Sequence, residues 1–251
     1  MHEQNRGYNK IFDTDAGIAG LTVAVEHYAR VFLPCEKKDC KHYRALTLED
    51  AARSAGLLLR HDGQRHAHAE SWVEEDQGRD RDRRAASLAT FADELADSTE
   101  KLYKGLSFHG VHAVVEEAAE AVRKAGAVRK TGARKASVLK PMPLLRYDAA
   151  LMLAWHLGVD PEEVWLRSGT DSGFRYLGCR SGHGKKTVTL GELPKPFQQL
   201  PPWQAEDILC IYRRVFGRLV GGKPLDKALF DKIADKRQRL GCGHRRCTAA
   251  C

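Results

Sequence analysis

Between Trp203 and Leu219 the residues Ile208, Ile211, Tyr212, Val215, Phe216 and Leu219 recur at the three- and four-residue steps of an α-helix. A strand, whose side chains alternate between two faces, could not gather that set on one side. The same spacing returns in Ile18 to Phe32, where Leu21, Val25, Tyr28 and Phe32 form a stripe. Thr47 stands where an N-cap is needed, with Glu49 and Asp50 favouring the macrodipole of a helix expected to run through AARSAGLLL. Ala85 to Leu106 and Val111 to Lys124 read as two more helices with Gly105 and Gly110 as breaks, and Lys227 to Leu240 as the last. HAESWVEEDQGRDRDRR, residues 68–84, mixes both charge signs densely and reads as a solvated helix or loose connector, and LPKPFQQLPP as an extended one. The best strand candidate is KTVTL, with β-branched residues at three consecutive positions. The expected fold class is therefore mainly α and multi-helical, with one short β element near 186–190.

A chain of 251 residues with 43% hydrophobic and 29% charged residues can bury a core, which excludes a fully disordered protein. Its net charge of +8 hides an asymmetry. Residues 1–120 hold 16 Lys and Arg against 22 Asp and Glu, whereas residues 121–251 hold 25 against 11. This predicts an acidic N-terminal helical region (1–123), a basic linker (124–143) and a basic C-terminal helical region (144–251). The linker, KAGAVRKTGARKASVLKPMP, has no apolar period, and its prolines disfavour helix before them. Positive charge gathered in one region suits a polyanion, because each neutralised phosphate releases counterion. Arg129, Lys130, Arg134, Lys135 and Lys140 lie among small residues, as expected of an arm that follows a phosphate backbone without reading bases. An ordinary solvated linker is the alternative. The N-terminus, MHEQNRGYNKIFD, carries no apolar run, and no segment reaches the roughly 20 apolar residues of a membrane span. A cytoplasmic protein without a membrane partner is expected.

In LAWHLGVDPEEVWLRSGT, residues 153–170, Ala154, Gly158 and Val164 supply a small residue, a tight-turn glycine and an aliphatic residue at the spacing of two crossing helices. Over about twenty residues this resembles the helix-turn-helix DNA-binding proteins. The resemblance implies a second helix, capped by Asp160 and opened by Pro161, that enters the major groove with Trp165 and Arg167 as contacts. Glu162 and Glu163 stabilise such a helix start while repelling phosphate, and a purely structural hairpin fits the same residues. GCRSGHGKKT, residues 178–187, lacks a phosphate loop, since Cys179 replaces its first glycine and Lys186 its Ser or Thr. Arg180, Lys185 and Lys186 remain as phosphate contacts. The expected function is nucleic-acid binding, with DNA before RNA on the strength of the resemblance. The alternatives are a helical enzyme acting on nucleic acid, such as a DNA repair glycosylase, with Asp148 and Asp171 the first acids to test, and a non-catalytic scaffold holding a protein partner through the acidic half.

Zinc is the cofactor to consider, because Cys242, His244, Cys247 and Cys251 supply four ligands of the type it prefers. Cys35, Cys40 and His42 offer a second group. His68 to Glu70, read with Pro34 and Cys35, fails the zinc-deaminase pattern in order and in spacing. His66 and His68 would suit a metal if they lay on a strand, but their surroundings do not read as one, so exposed polar histidines are expected. His109, His112 and Glu116 share one side of a helix, and no second helix with matching ligands is visible.

Overall fold

The computed structural model describes residues 9–74, 81–128, 139–179 and 186–239. Among these residues are eleven α-helices and one two-stranded antiparallel sheet, so the protein is mainly α with one short β element. In order they are α1 (Asp15–Val31), α2 (Leu33–Ala45), α3 (Leu48–Gly56), α4 (Ala67–Glu74), α5 (Arg81–Asp97), α6 (Phe108–Val128), α7 (Pro143–Leu157), β1 (Val164–Trp165), α8 (Ser168–Tyr176), β2 (Thr187–Val188), α9 (Pro202–Ile211), α10 (Arg213–Val220) and α11 (Lys227–Arg239). No described helix is long and apolar enough to cross a membrane. The described residues divide into two compact units, 9–34 with 161–237, and 35–160 with 238–239.

In the first unit α1 begins where the Thr14 hydroxyl accepts the Gly17 N–H at 3.1 Å. Its stripe of Leu21, Ala24 and Tyr28 is buried together with Phe32. The single helix expected over Trp203 to Leu219 is instead two, α9 and α10, jointed at Tyr212. The joint has a cause in packing. The Tyr212 ring is fully buried against Phe32 and Phe230, and its hydroxyl lies 2.7 Å from His27 Nδ1. Turning there lets Ile208 and Leu209 of α9 reach the same core as Val215 and Phe216 of α10. The strand expected near 186–190 forms at β2, which pairs with β1 so that Val164 faces Val188 and Trp165 faces Thr187. The helix expected from Pro161 is not formed: residues 161–163 are non-helical, the Val-Trp pair joins the sheet, and the next helix opens at Ser168. Valine and tryptophan both suit a pleated, half-buried surface, and here a partner strand is present.

The second unit is organised on α7, where every residue from Leu145 to Trp155 is buried. Helices α3, α4 and α6 contact it, and α5 packs on α3 and α6. Pro143 opens α7, and Gly158, with φ of 72°, closes it in the left-handed conformation that glycine adopts without penalty. The Thr47 cap is as expected, its hydroxyl accepting the Asp50 N–H at 3.1 Å. That helix stops at Gly56 instead of continuing through three leucines. Gly56 lets α3 and α5 approach closely, since a Cβ there would lie 2.4 Å from the Ala92 Cα.

Other expectations for this unit are corrected. Residues 68–74 of the polar run expected to be a solvated helix or loose connector belong to α4, which buries Ala69, Trp72 and Val73, so this part is a packed helix; residues 75–80 lie outside the described residues. Gly105, with φ of 93°, is a break as expected, but Gly110 lies inside α6. Helix α5 ends at Asp97, well short of Leu106, and α6 runs on to Val128, so the first residues of the expected linker are helical. Residues 129–138 of that linker lie outside the described residues. Leu139 is tied down, its N–H donating to the Ser87 hydroxyl at 2.8 Å.

Candidate functional site

Charge follows the fold differently from the way it follows the chain. Residues 35–160 hold 21 Lys and Arg against 20 Asp and Glu, while residues 1–34 with 161–251 hold 20 against 13. Part of that surplus gathers where α8 packs on α10. Helix α10 buries Val215 and Phe216, which leaves Arg213, Arg214 and Arg218 on its other sides. Its Gly217 makes room for the Tyr176 ring of α8, which lies 3.1 Å from the position of an added Cβ. Tyr176 keeps 50% of its surface exposed. Arg175 beside it pairs with Asp171 at 2.6 Å, and Arg218 reaches Asp226 at 3.7 Å. Among the described residues Arg213 and Arg214 enter no ion pair.

Arg129, Lys130, Arg134, Lys135, Arg180 and Lys185 lie outside the described residues, as do Cys242, His244, Cys247 and Cys251. Lys140 binds Glu120 at 3.1 Å, and the Glu120 carboxyl, held by Arg123 and then Lys140, is pulled down to about 2. Trp165 is buried in β1, with the Arg167 guanidinium 4.9 Å from its ring centre. Lys186 is exposed, and its carbonyl accepts the Leu166 N–H at 2.7 Å. Asp171 is engaged by Arg175. His112 and Glu116, two of the three residues read as sharing one side of a helix, lie 3.6 Å apart on α6, where Glu116 also pairs with Arg146. Cys35 is buried and accepts from Arg60 Nη2 at 2.6 Å.

A second arrangement joins residues far apart in sequence. In the second unit, His66 and His68 both turn Nδ1 toward Oδ2 of Asp148, at 3.3 and 2.7 Å. This corrects the expectation of exposed histidines, whose side chains are only 22% and 23% exposed. Asp148 lies in the buried part of α7; His68 is in the first turn of α4, and His66 just precedes it. A tied turn delivers both histidines. His66 N–H donates to Leu58 O at 2.7 Å, Arg60 N–H to Gln64 O at 2.8 Å, and Tyr43 Oη to Leu59 O at 2.8 Å. Asp39, on α2, accepts Arg60 Nε at 3.1 Å and His61 N–H at 2.9 Å, and lies 2.5 Å from His61 Nδ1. Burial works to raise the Asp148 pKa, but the His68 and His66 imidazoles outweigh it and hold the carboxyl well below its usual range. Such a group can share protons between the imidazoles and the carboxylate or hold a cation among the three.

Comparison of the chain with protein-family models, curated proteins and solved structures finds no match. The fold class is that of a mainly α protein. Sequence reasoning did not reach Tyr176, Arg175, Arg213 or Arg214. The signal for the last two was present, because the stripe in 203–219 that buries Val215 and Phe216 leaves both arginines off it. Nothing local marked Tyr176, whose place depends on a glycine in another helix.

Proposed function

We propose that this protein binds single-stranded nucleic acid through the α8–α10 surface. The observation that carries the reading is the half-exposed Tyr176 ring, seated on Gly217 of α10, a helix that also carries Arg213, Arg214 and Arg218. An aromatic face of this kind stacks on an unpaired base, contributing about 1–3 kcal/mol per base, while guanidinium groups take the phosphates on either side. Arg213 and Arg214 are suited to the second task, since no carboxylate among the described residues already holds them. The positive balance of residues 1–34 with 161–251 supplies the longer-ranged attraction. The linker cations Arg129, Lys130, Arg134 and Lys135 belong to the same reading as sequence-independent phosphate contacts.

The test is a fluorescence-anisotropy titration of the full chain with an oligodeoxythymidylate, an oligouridylate and a DNA duplex at low salt. Wild type is expected to bind the single strands more tightly than the duplex, and Tyr176→Ala to weaken single-strand binding about 5- to 150-fold. No binding to either single strand, or unchanged affinity in Tyr176→Ala, would overturn the reading.

A further inference from the structure

We propose that His66, His68 and Asp148 form a binding site for a divalent transition metal, of which Zn2+ is the natural occupant. The site is separate from the α8–α10 surface and does not depend on its function. Its three donor atoms lie within 4.8 Å of one another. A zinc ion bound to imidazole nitrogen and carboxylate oxygen at about 2.0–2.2 Å places its donors roughly 3.4 Å apart. The observed separations of 2.7 and 3.3 Å from Asp148 to the two histidines, and at most 4.8 Å between the histidines, straddle that value. Sub-ångström to ångström movements of the side chains would admit the ion. The rings are already set apart for it, their centres 4.8 Å distant and their planes at 73°, so both nitrogens converge on the carboxylate without stacking.

Two features distinguish this cluster from an ordinary polar patch. Asp148 stands in a helix buried from Leu145 to Trp155, where a carboxylate is costly unless something positive answers it. The other charge in that stretch, Arg146, is answered by Glu116. Asp148 has, among the described residues, the His68 and His66 ring nitrogens at 2.7 and 3.3 Å facing it. The turn that presents the histidines is also fixed from behind by Asp39, Arg60 and Tyr43, which holds the donors in register before any ion arrives. Two nitrogens and one oxygen make a donor set suited to zinc and its neighbours, unlike the all-oxygen sets that calcium and magnesium take. Three protein ligands, with both histidines partly open to solvent, leave a coordination position for water or another small ligand.

The experiment uses the full chain carrying Cys242→Ser, Cys247→Ser and Cys251→Ser, so that the C-terminal cysteines do not contribute, stripped with chelator and titrated with Zn2+ by calorimetry and with Co2+ by absorption. One equivalent is expected to bind. The cobalt spectrum should show d–d bands without the near-ultraviolet charge-transfer band of a thiolate ligand. Adding Asp148→Asn or His68→Gln should lower the affinity at least 100-fold. Because Asp148 is buried, His68→Gln is the deciding variant, with circular dichroism confirming that it folds. No uptake of either metal, a thiolate band, or wild-type affinity in a folded His68→Gln would each overturn the site.

Discussion

Helices α7 and α10 carry the same kinds of residue and use them in opposite ways. In α7 the charges point inward and are neutralised there: Arg146 meets Glu116, and Asp148 meets His66 and His68. In α10 Val215 and Phe216 point inward, while Arg213, Arg214 and Arg218 are left on the remaining faces. The contrast extends to composition, with residues 35–160 close to balance and residues 1–34 with 161–251 in positive surplus. A charge buried with a partner fixes geometry, whereas a charge left outside acts on whatever approaches. The second unit is therefore where a small ion would be held, and the first is where a polyanion would be met.

The contrast breaks most severely if a buried partner is removed. Asp39 and Arg60 are 5% and 3% exposed at their side chains and lie 3.1 Å apart. Asp39→Ala leaves the guanidinium buried without that partner and is expected to destabilise the protein by about 3–5 kcal/mol, measured by urea unfolding. A change below about 1 kcal/mol would mean that Arg60 reaches water easily.

A smaller effect should come from His27 in the first unit, whose Nδ1 lies 2.7 Å from the Tyr212 hydroxyl. Burial, followed by the nearby Arg30, lowers its pKa, while Asp231 acts in the opposite direction. The unfolded chain then takes up this proton at a pH where the folded chain does not. His27 should therefore cost stability as the pH falls through about 6.5, with the loss growing until the folded value is reached. Urea midpoints between pH 7.5 and 5.5 should fall more steeply for wild type than for His27→Gln, and parallel curves would remove the effect.

Much of the helical architecture is legible in the sequence because periodicity and caps act locally. Thr47 bonds Asp50, Leu21 and Tyr28 are buried, and KTVTL contains β2. The departures arise where tertiary packing decides. Tyr212 breaks one apolar stripe into two helices because its ring and hydroxyl are claimed by Phe32, Phe230 and His27. Val164 and Trp165 leave the helix expected of them because a strand from beyond residue 186 pairs with them. For the candidate sites, Asp148, His66 and His68 each stand out as chemistry-bearing residues, but nothing in the sequence joins residue 148 to residues eighty positions earlier; α7 and α4 do that. The charge boundary read near residue 121 falls within α6, since the units are assembled from discontinuous stretches of chain.

In the proposed reading, Arg213 and Arg214 of α10 meet phosphate. The direct measurement is the salt dependence of oligodeoxythymidylate binding by wild type and by Arg213→Gln with Arg214→Gln. A plot of log affinity against log salt concentration should become shallower in the variant by about 0.7 for each phosphate that the removed arginines neutralise on a single strand, with thermal stability unchanged. An unchanged slope in a folded variant would mean that other cations meet the phosphates and that Arg213 and Arg214 do not.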